Sequence, residues 1–130
     1  MASRRDLMLA AVALLSGCAV SRDAAVDQRG AAALYGRFGK IKAKPGMREA
    51  LIAALVDGSH DMPGNLAYIV GKDQADADGV WITEVWRDAN SHRASLELPQ
   101  VRRAISVGRE MIAGFDTGGE GEVVGAAGLR

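Results

Sequence analysis

The residues best suited to chemistry lie between Val80 and Val101, where a Glu, a Trp and a His follow one another closely. Glu84 and Trp86 are two residues apart in a β-branched run, and side chains two apart in a strand point to the same face. A carboxylate is rarely buried without a partner or a chemical role. His92 follows, and a neutral imidazole can accept or donate a proton near neutral pH. Together these residues predict a small-molecule pocket where a strand meets a helix.

Each of these residues also has a structural alternative. Glu84 could pair with an Arg or Lys across the sheet, and His92 could be solvated or simply hydrogen-bonded at the start of a helix. His60 is expected in a surface loop, and two isolated histidines without ligand spacing do not predict a metal site. Residues 118–121 lack the Lys and the helix of a phosphate-binding loop, and we interpret them as a flexible turn. No Ser lies in a Gly-x-Ser-x-Gly context, so a hydrolase triad has no support.

Length and charge limit the class of protein. The chain has 130 residues, which suits one domain, and its 48% hydrophobic content supports a packed core. Sixteen basic and sixteen acidic side chains cancel. Because a nucleic-acid binder normally needs a basic surface excess, nucleic acid is not an expected partner.

Residues 1–18 predict an export signal. Arg4 and Arg5 precede an apolar run from Leu7 to Leu15, which is too short to cross a bilayer. The sequence that ends at Cys18 resembles a bacterial lipoprotein box, in which the Cys is lipidated. The two arginines also resemble a twin-arginine signal, and the general secretion route stays open as the alternative. The expected location is therefore the cell envelope, on the periplasmic side, with a lipid anchor in the membrane.

The mature chain divides into a tether over residues 19–33 and one domain over residues 34–130. Cys18 is the only Cys, so no disulfide and no Cys-ligated metal is expected in the domain.

Periodicity and turn signals predict the elements of this domain. They are a strand at Leu34–Ala43, a helix entered at Pro45 with an apolar stripe of Met47, Leu51, Ala54 and Leu55, and strands at Leu66–Lys72 and Gly79–Arg87. A short helix is N-capped by Asp88 and runs to Leu96, and a longer one begins at Pro99 and buries Val101, Ala104, Ile105, Gly108 and Ile112. A last strand is expected at Glu122–Val124, with Phe115 as the earliest residue to which it extends.

This order predicts a ferredoxin-like α+β fold, β-α-β-β-α-β, with an antiparallel sheet and its helices on one face. The other face of so small a sheet usually needs a partner, so we expect a homodimer.

The same residues resemble the antibiotic biosynthesis monooxygenase (ABM) superfamily over nearly the whole domain. The matching features are the Tyr35–Ala43 strand with the Lys44-Pro45-Gly46 turn, Pro63-Gly64 before a strand with Tyr68, Glu84-Val85-Trp86, His92, Leu96, Pro99-Gln100-Val101 and Ile112-Ala113-Gly114-Phe115.

The resemblance implies a homodimer of the dimeric α/β-barrel type, with sheets packed face to face and a pocket between sheet and helices. It implies oxygenation of a quinol or related aromatic phenolic compound without metal, flavin or other cofactor. In this interpretation Trp86 stacks on or orients the substrate and His92 handles its proton. Glu84, Tyr35 and Tyr68 are candidate substrate-binding residues. Asn65 is a further candidate whose turn position also suits a structural role.

Two positions depart from the family pattern. Ile82 stands where studied members tend to carry Asn, and Ser95 stands where many relatives have a second His. A non-catalytic lipoprotein that binds a small apolar ligand is therefore one alternative. A haem-degrading relative, with His92 as the axial ligand, is another.

Overall fold

The computed structural model describes residues 33–128, which form a four-stranded antiparallel sheet with helices over one face. The predicted leader, the predicted lipidation site Cys18 and the predicted tether up to residue 32 lie outside the described residues. The elements are β1 (Leu34–Ala43), α1 (Arg48–Gly58), β2 (Asn65–Lys72), β3 (Gly79–Trp86), α2 (Ala89–Ser95), α3 (Pro99–Arg109) and β4 (Ile112–Val123).

The strands lie in the order β2-β3-β1-β4, and every neighbouring pair is antiparallel. This arrangement confirms the predicted ferredoxin-like α+β fold. None of the described helices combines the length and the apolar character that a membrane span requires.

Alternation along the strands divides the sheet into two faces. The inner face, which we define as the side toward the helices, carries the core residues Ile41, Ala43 and Val80, and Leu51 of α1 packs on them. Side chains of one strand alternate between the faces, so the outer face receives Phe38, Ile69 and Trp81. These three are 47%, 57% and 46% exposed. These exposed apolar side chains lie on the face for which the sequence analysis expects a partner.

The predicted helix starts are correct in two cases and wrong in one. Asp88 caps α2 by accepting a hydrogen bond from the Ser91 amide at 2.7 Å, and Pro99 is in the first turn of α3. Pro45 lies in a turn before α1 rather than inside the helix. Met47 therefore precedes the first helical residue and is 39% exposed, so the predicted stripe starts one turn too early.

The last strand is the main correction. Residues 118–121 are not a flexible turn, because they lie in β4 and pair with residues 36–39 of β1. Glycine has a low intrinsic strand propensity, but the hydrogen bonds of a neighbouring central strand override that preference here. Ile112, predicted on the face of α3, instead begins β4 and joins the core.

Candidate functional site

A line of polar side chains crosses the inner face above the apolar core. Strand register aligns Glu120 of β4 with Arg37 of β1, Arg37 with Glu84 of β3, and Glu84 with Tyr68 of β2. We call these four residues the polar row. Cross-strand neighbours have Cβ atoms about 5 Å apart, so four polar groups from four strands share one confined strip.

Glu84, Trp86 and His92 come together beside the polar row. Trp86 is 1% exposed, and its indole Nε1 donates a hydrogen bond to Glu84 Oε2 at 2.8 Å. The imidazole Nε2 of His92 lies 3.8 Å from the same carboxylate oxygen. The Trp86 and His92 rings meet edge to face with centroids 5.4 Å apart. The carboxylate thus links an indole and an imidazole, two groups that come from a strand and a helix.

The position of His92 depends on how α2 packs against the turn that precedes β2. Gly64, in that turn, has φ +81°, and a Cβ placed on it would lie 2.5 Å from Ser91 Oγ. Only a residue without a side chain permits both this backbone conformation and this close approach. Ser95, one turn after His92, donates its hydroxyl hydrogen to the His92 carbonyl at 2.6 Å. The close approach to Gly64 therefore fixes the start of the helix, and the Ser95 hydroxyl satisfies a carbonyl within it.

Burial changes the protonation of this cluster. Desolvation and, to a lesser extent, the nearby charge of Arg37 lower the pKa of His92 to about 4. The imidazole is therefore neutral at pH 7. Burial raises the pKa of Glu84, while the hydrogen bond from Trp86 and the Arg37 charge oppose that rise. A neutral His next to a carboxyl group of raised pKa is an arrangement that functional sites often use.

Arg37 is the residue of this site that the sequence analysis did not single out. It is 6% exposed, and its Nη1 donates to the Tyr35 hydroxyl at 3.0 Å and faces Glu120 Oε2 at 3.4 Å. Tyr35 in turn donates to Glu120 and stands 5.9 Å from the His92 ring, centroid to centroid. Burial and the hydrogen bond to Glu120 raise the pKa of Tyr35. The sequence did contain a signal for Arg37. Alternation in β1 places this charged residue on the same face as Tyr35 and Ile41.

Tyr68 joins the polar row to a small apolar cavity between α1, α3 and β2. The cavity has a volume of about 70 Å³. Its lining includes Leu51, Leu55, Ile105 and Ile112 together with Tyr68. Burial raises the pKa of Tyr68, and the Glu84 charge adds to that rise. The hydroxyl is therefore a neutral group at the boundary between apolar and polar parts of the site.

The remaining predicted residues occupy different environments. Asn65 uses its side-chain amide to donate to the Ala67 carbonyl at 3.0 Å and the Val85 carbonyl at 3.3 Å. Ile82 packs against the core. His60 is exposed at the end of α1, away from the polar row, with its Nδ1 near the Asp57 carbonyl. Cys18 lies outside the described residues.

Metal ligation has no support in the described part of the chain. Within residues 33–128, no three His, Cys, Asp or Glu side chains are arranged to hold a metal ion. The Nε2 of His92 faces the Glu84 carboxylate at 3.8 Å and would have to turn away from it to bind iron, which disfavours the haem-ligand alternative.

Comparisons with known proteins find a matching family and a shared fold. The model of the family "antibiotic biosynthesis monooxygenase" matches residues 35–107. A solved protein from Chloroflexus aurantiacus J-10-fl, assigned to the same monooxygenases, is 50% identical, with a TM-score of 0.74 over 75% of this chain and 99% of that one.

More distant structures share the fold. A protein from Shewanella oneidensis is 19% identical with a TM-score of 0.63, over 70% of this chain and 91% of that one. A protein from Caulobacter crescentus CB15, also assigned to these monooxygenases, is 12% identical with a TM-score of 0.61, over 73% and 92%. No curated protein is significantly similar to the chain in sequence.

Proposed function

The chain belongs to the antibiotic biosynthesis monooxygenase family, and we propose that it oxidises a quinol or another electron-rich phenolic compound with dioxygen. The observation that carries the proposal is the buried cluster of Glu84, Trp86 and His92 on the inner face. It combines a flat aromatic wall, a neutral imidazole and a carboxylate in one shielded place. These are the groups that the oxidation of an aromatic hydroxyl compound requires.

The reaction balances without a separate reductant. A phenol that bears hydrogen on the ring carbon opposite its hydroxyl reacts with one molecule of dioxygen to give a quinone and one molecule of water. A quinol reacts in the same proportion at a ring carbon next to one of its hydroxyl-bearing carbons, and gives a hydroxyquinone and one molecule of water. In both cases that ring carbon exchanges its C–H bond for a bond to one oxygen atom of dioxygen, and the substrate supplies all four electrons that dioxygen takes up. Once the phenol has lost its proton, the phenolate is electron-rich enough to pass the first electron to dioxygen.

His92 is the proposed proton acceptor and Glu84 supports it. His92 is uncharged at neutral pH, so its ring can receive the phenolic proton. A pKa of about 4 makes it a weak base on its own. The Glu84 carboxylate, 3.8 Å from Nε2, would stabilise the imidazolium as it forms. Trp86, fixed by its hydrogen bond to Glu84, provides the surface that orients the substrate ring.

Oxygen uptake tests this proposal. The full-length protein, presented with a panel of quinols and phenols, is expected to consume oxygen faster than buffer autoxidation. His92→Gln should lower that rate by about 10-fold or more, since positioned proton transfer contributes roughly 100-fold or more. Trp86→Phe should also lower the rate by about 10-fold or more, because it removes the indole that orients the substrate ring. His60→Gln, which alters the exposed histidine, is the matched control and should keep the wild-type rate. Binding of panel members without any uptake would instead support the non-catalytic ligand-binding alternative.

We propose further that two copies pair through the outer faces of their sheets. Phe38, Ile69 and Trp81 form an exposed apolar surface there, and monomeric proteins rarely expose such patches without a function. Light scattering should give the mass of a dimer for the wild type and a shift toward monomer for Trp81→Glu. A monomeric wild type would contradict the pairing.

Attachment to the cell envelope through a lipidated Cys18 is the third part of the proposal. Its support is the lipoprotein-like sequence around that residue. Mass spectrometry of the protein from a bacterial host should find the chain beginning at a diacylated Cys18, and Cys18→Ala should remove it from the membrane fraction. An unprocessed, unlipidated wild type would contradict this proposal.

A further inference from the structure

Arg37 is a buried cation whose hydrogen bonding is incomplete. It is 6% exposed, and its Nε is shielded from solvent without a hydrogen-bond partner among the described residues. Its Nη1 donates to the Tyr35 hydroxyl at 3.0 Å. A guanidinium has five N–H donors, and burying a charge is costly unless it is paired and hydrogen-bonded.

Glu120 offsets only part of that cost. Arg37 Nη1 donates a hydrogen bond to its Oε2 at 3.4 Å, longer than the usual charge-assisted hydrogen bond, and its side chain is 38% exposed. Glu84, the register neighbour on the other side, has its Oε2 hydrogen-bonded to Trp86. The guanidinium therefore stands between two carboxylates, neither of which completes its hydrogen bonding as a bidentate partner would.

A chain of aromatic ring contacts begins beside Arg37. Tyr35 is hydrogen-bonded to it, the His92 ring lies 5.9 Å from the Tyr35 ring, and the Trp86 ring lies 5.4 Å from the His92 ring. His92 is neutral at pH 7 and so does not compete as a second cation. Aromatic side chains attract the edges and faces of another flat ring, and a guanidinium attracts a negatively charged oxygen.

We propose that Arg37 binds the deprotonated oxygen of the phenolic substrate, so that the site prefers a phenolate to a neutral phenol. The proposal rests on the proposed function for its substrate class. The phenolic O–H bond breaks, its electron pair stays on the oxygen, and the proton passes to His92 and then to solvent. Glu120 is the competitor that the phenolate oxygen displaces from Nη1.

The probe is 4-nitrophenol, whose neutral and ionised forms absorb at different wavelengths and interconvert near neutral pH. Titration into the full-length protein across this pH range is expected to lower the pKa of the bound probe by about 1 unit or more. That shift corresponds to a phenolate preference of about 10-fold or more. Arg37→Gln should abolish the shift and weaken phenolate binding about 10-fold to 100-fold, while Arg37→Lys should keep part of both because it keeps the charge.

Glu120→Gln separates this role from a structural one. The exposed side chain makes a stable variant expected, and removal of the competing carboxylate should tighten phenolate binding several-fold. Arg37→Gln and Glu120→Gln thus change affinity in opposite directions. If Arg37 served only as the structural partner of Glu120, both variants would weaken binding or leave it unchanged, and either result would overturn the proposal.

These experiments distinguish a failure of the phenolate-binding role of Arg37 from a failure of the proposed oxidation. A bound probe with the same pKa as the free one, or no binding of 4-nitrophenol, would overturn the role of Arg37 even if oxygen uptake were observed. An intact phenolate preference without oxygen uptake would overturn the proposed oxygenase and leave the anion-binding role in place.

Discussion

The buried neutral His92 predicts a definite loss of stability on acidification. Its pKa falls from 6.5 to about 4 in the folded chain, because burial penalises the imidazolium and Arg37 repels it. One unit of pKa is worth about 1.4 kcal/mol, so complete protonation of His92 costs the folded state about 3 kcal/mol relative to the unfolded state.

The sign of this pH dependence follows from which state of the chain binds the proton. Between pH 6.5 and 4 the unfolded chain binds a proton at His92 that the folded chain does not. The free energy of unfolding therefore decreases as the pH falls through this window, and the loss is complete below about pH 4. Glu84, whose pKa is raised, acts in the opposite direction, because the folded state keeps its proton to higher pH. A comparison of variants at each pH separates the two contributions.

Urea denaturation at a series of pH values, in wild type and His92→Phe, measures the effect. The stability difference between the two proteins should change by about 3 kcal/mol between pH 6.5 and 4. Proton NMR of His60→Gln, which leaves one imidazole in the described region, should give a midpoint near 4 for His92. A midpoint near 6.5, or parallel pH dependences of the two proteins, would refute the reasoning from burial.

Three further substitutions test the contacts that position the cluster of Glu84, Trp86 and His92. Trp86→Phe removes the indole donor to Glu84 and should cost about 1–3 kcal/mol in urea unfolding while raising the Glu84 pKa, measured by carbon NMR; an unchanged pKa would contradict the hydrogen bond. Gly64→Ala should destabilise the protein clearly more than Gly46→Ala, because both positions have positive φ but only the first meets a neighbouring side chain; equal effects would show that the close approach is unimportant. Asp88→Ala removes an N-cap and should cost about 1 kcal/mol, with faster amide exchange in α2; unchanged exchange would argue against a capping role.

The sequence predicted much of the fold because several local signals agreed. Leu34–Ala43 alternates small or polar residues with apolar ones, Asp88 and Pro99 mark helix starts, and Pro63-Gly64 marks a turn, so these elements could be predicted from the sequence. A last strand is expected at Glu122–Val124 with Phe115 as its earliest residue, but residues 118–121 within it are interpreted as a turn, because glycine-rich sequence resembles a turn until a partner strand supplies the hydrogen bonds.

The site was only partly predictable, because strand register is a tertiary property. Glu84, Trp86 and His92 are close in sequence, so their proximity could be inferred locally. Arg37 and Glu120 are 83 residues apart and meet only through the pairing of β1 with β4. A shift of one residue in either strand would move each side chain to the opposite face. Charged residues at inward strand positions are therefore the signal to examine.

Isotope labelling tests the central claim most directly. With ¹⁸O₂ and the quinol or phenol that the full-length protein consumes fastest, the account predicts one labelled oxygen atom in the quinone product and the other in water. The rate of incorporation should fall together with oxygen uptake in His92→Gln and remain unchanged in His60→Gln. Product that carries no label, or labelling that is equally fast without the protein, would contradict a monooxygenase at the Glu84–Trp86–His92 cluster.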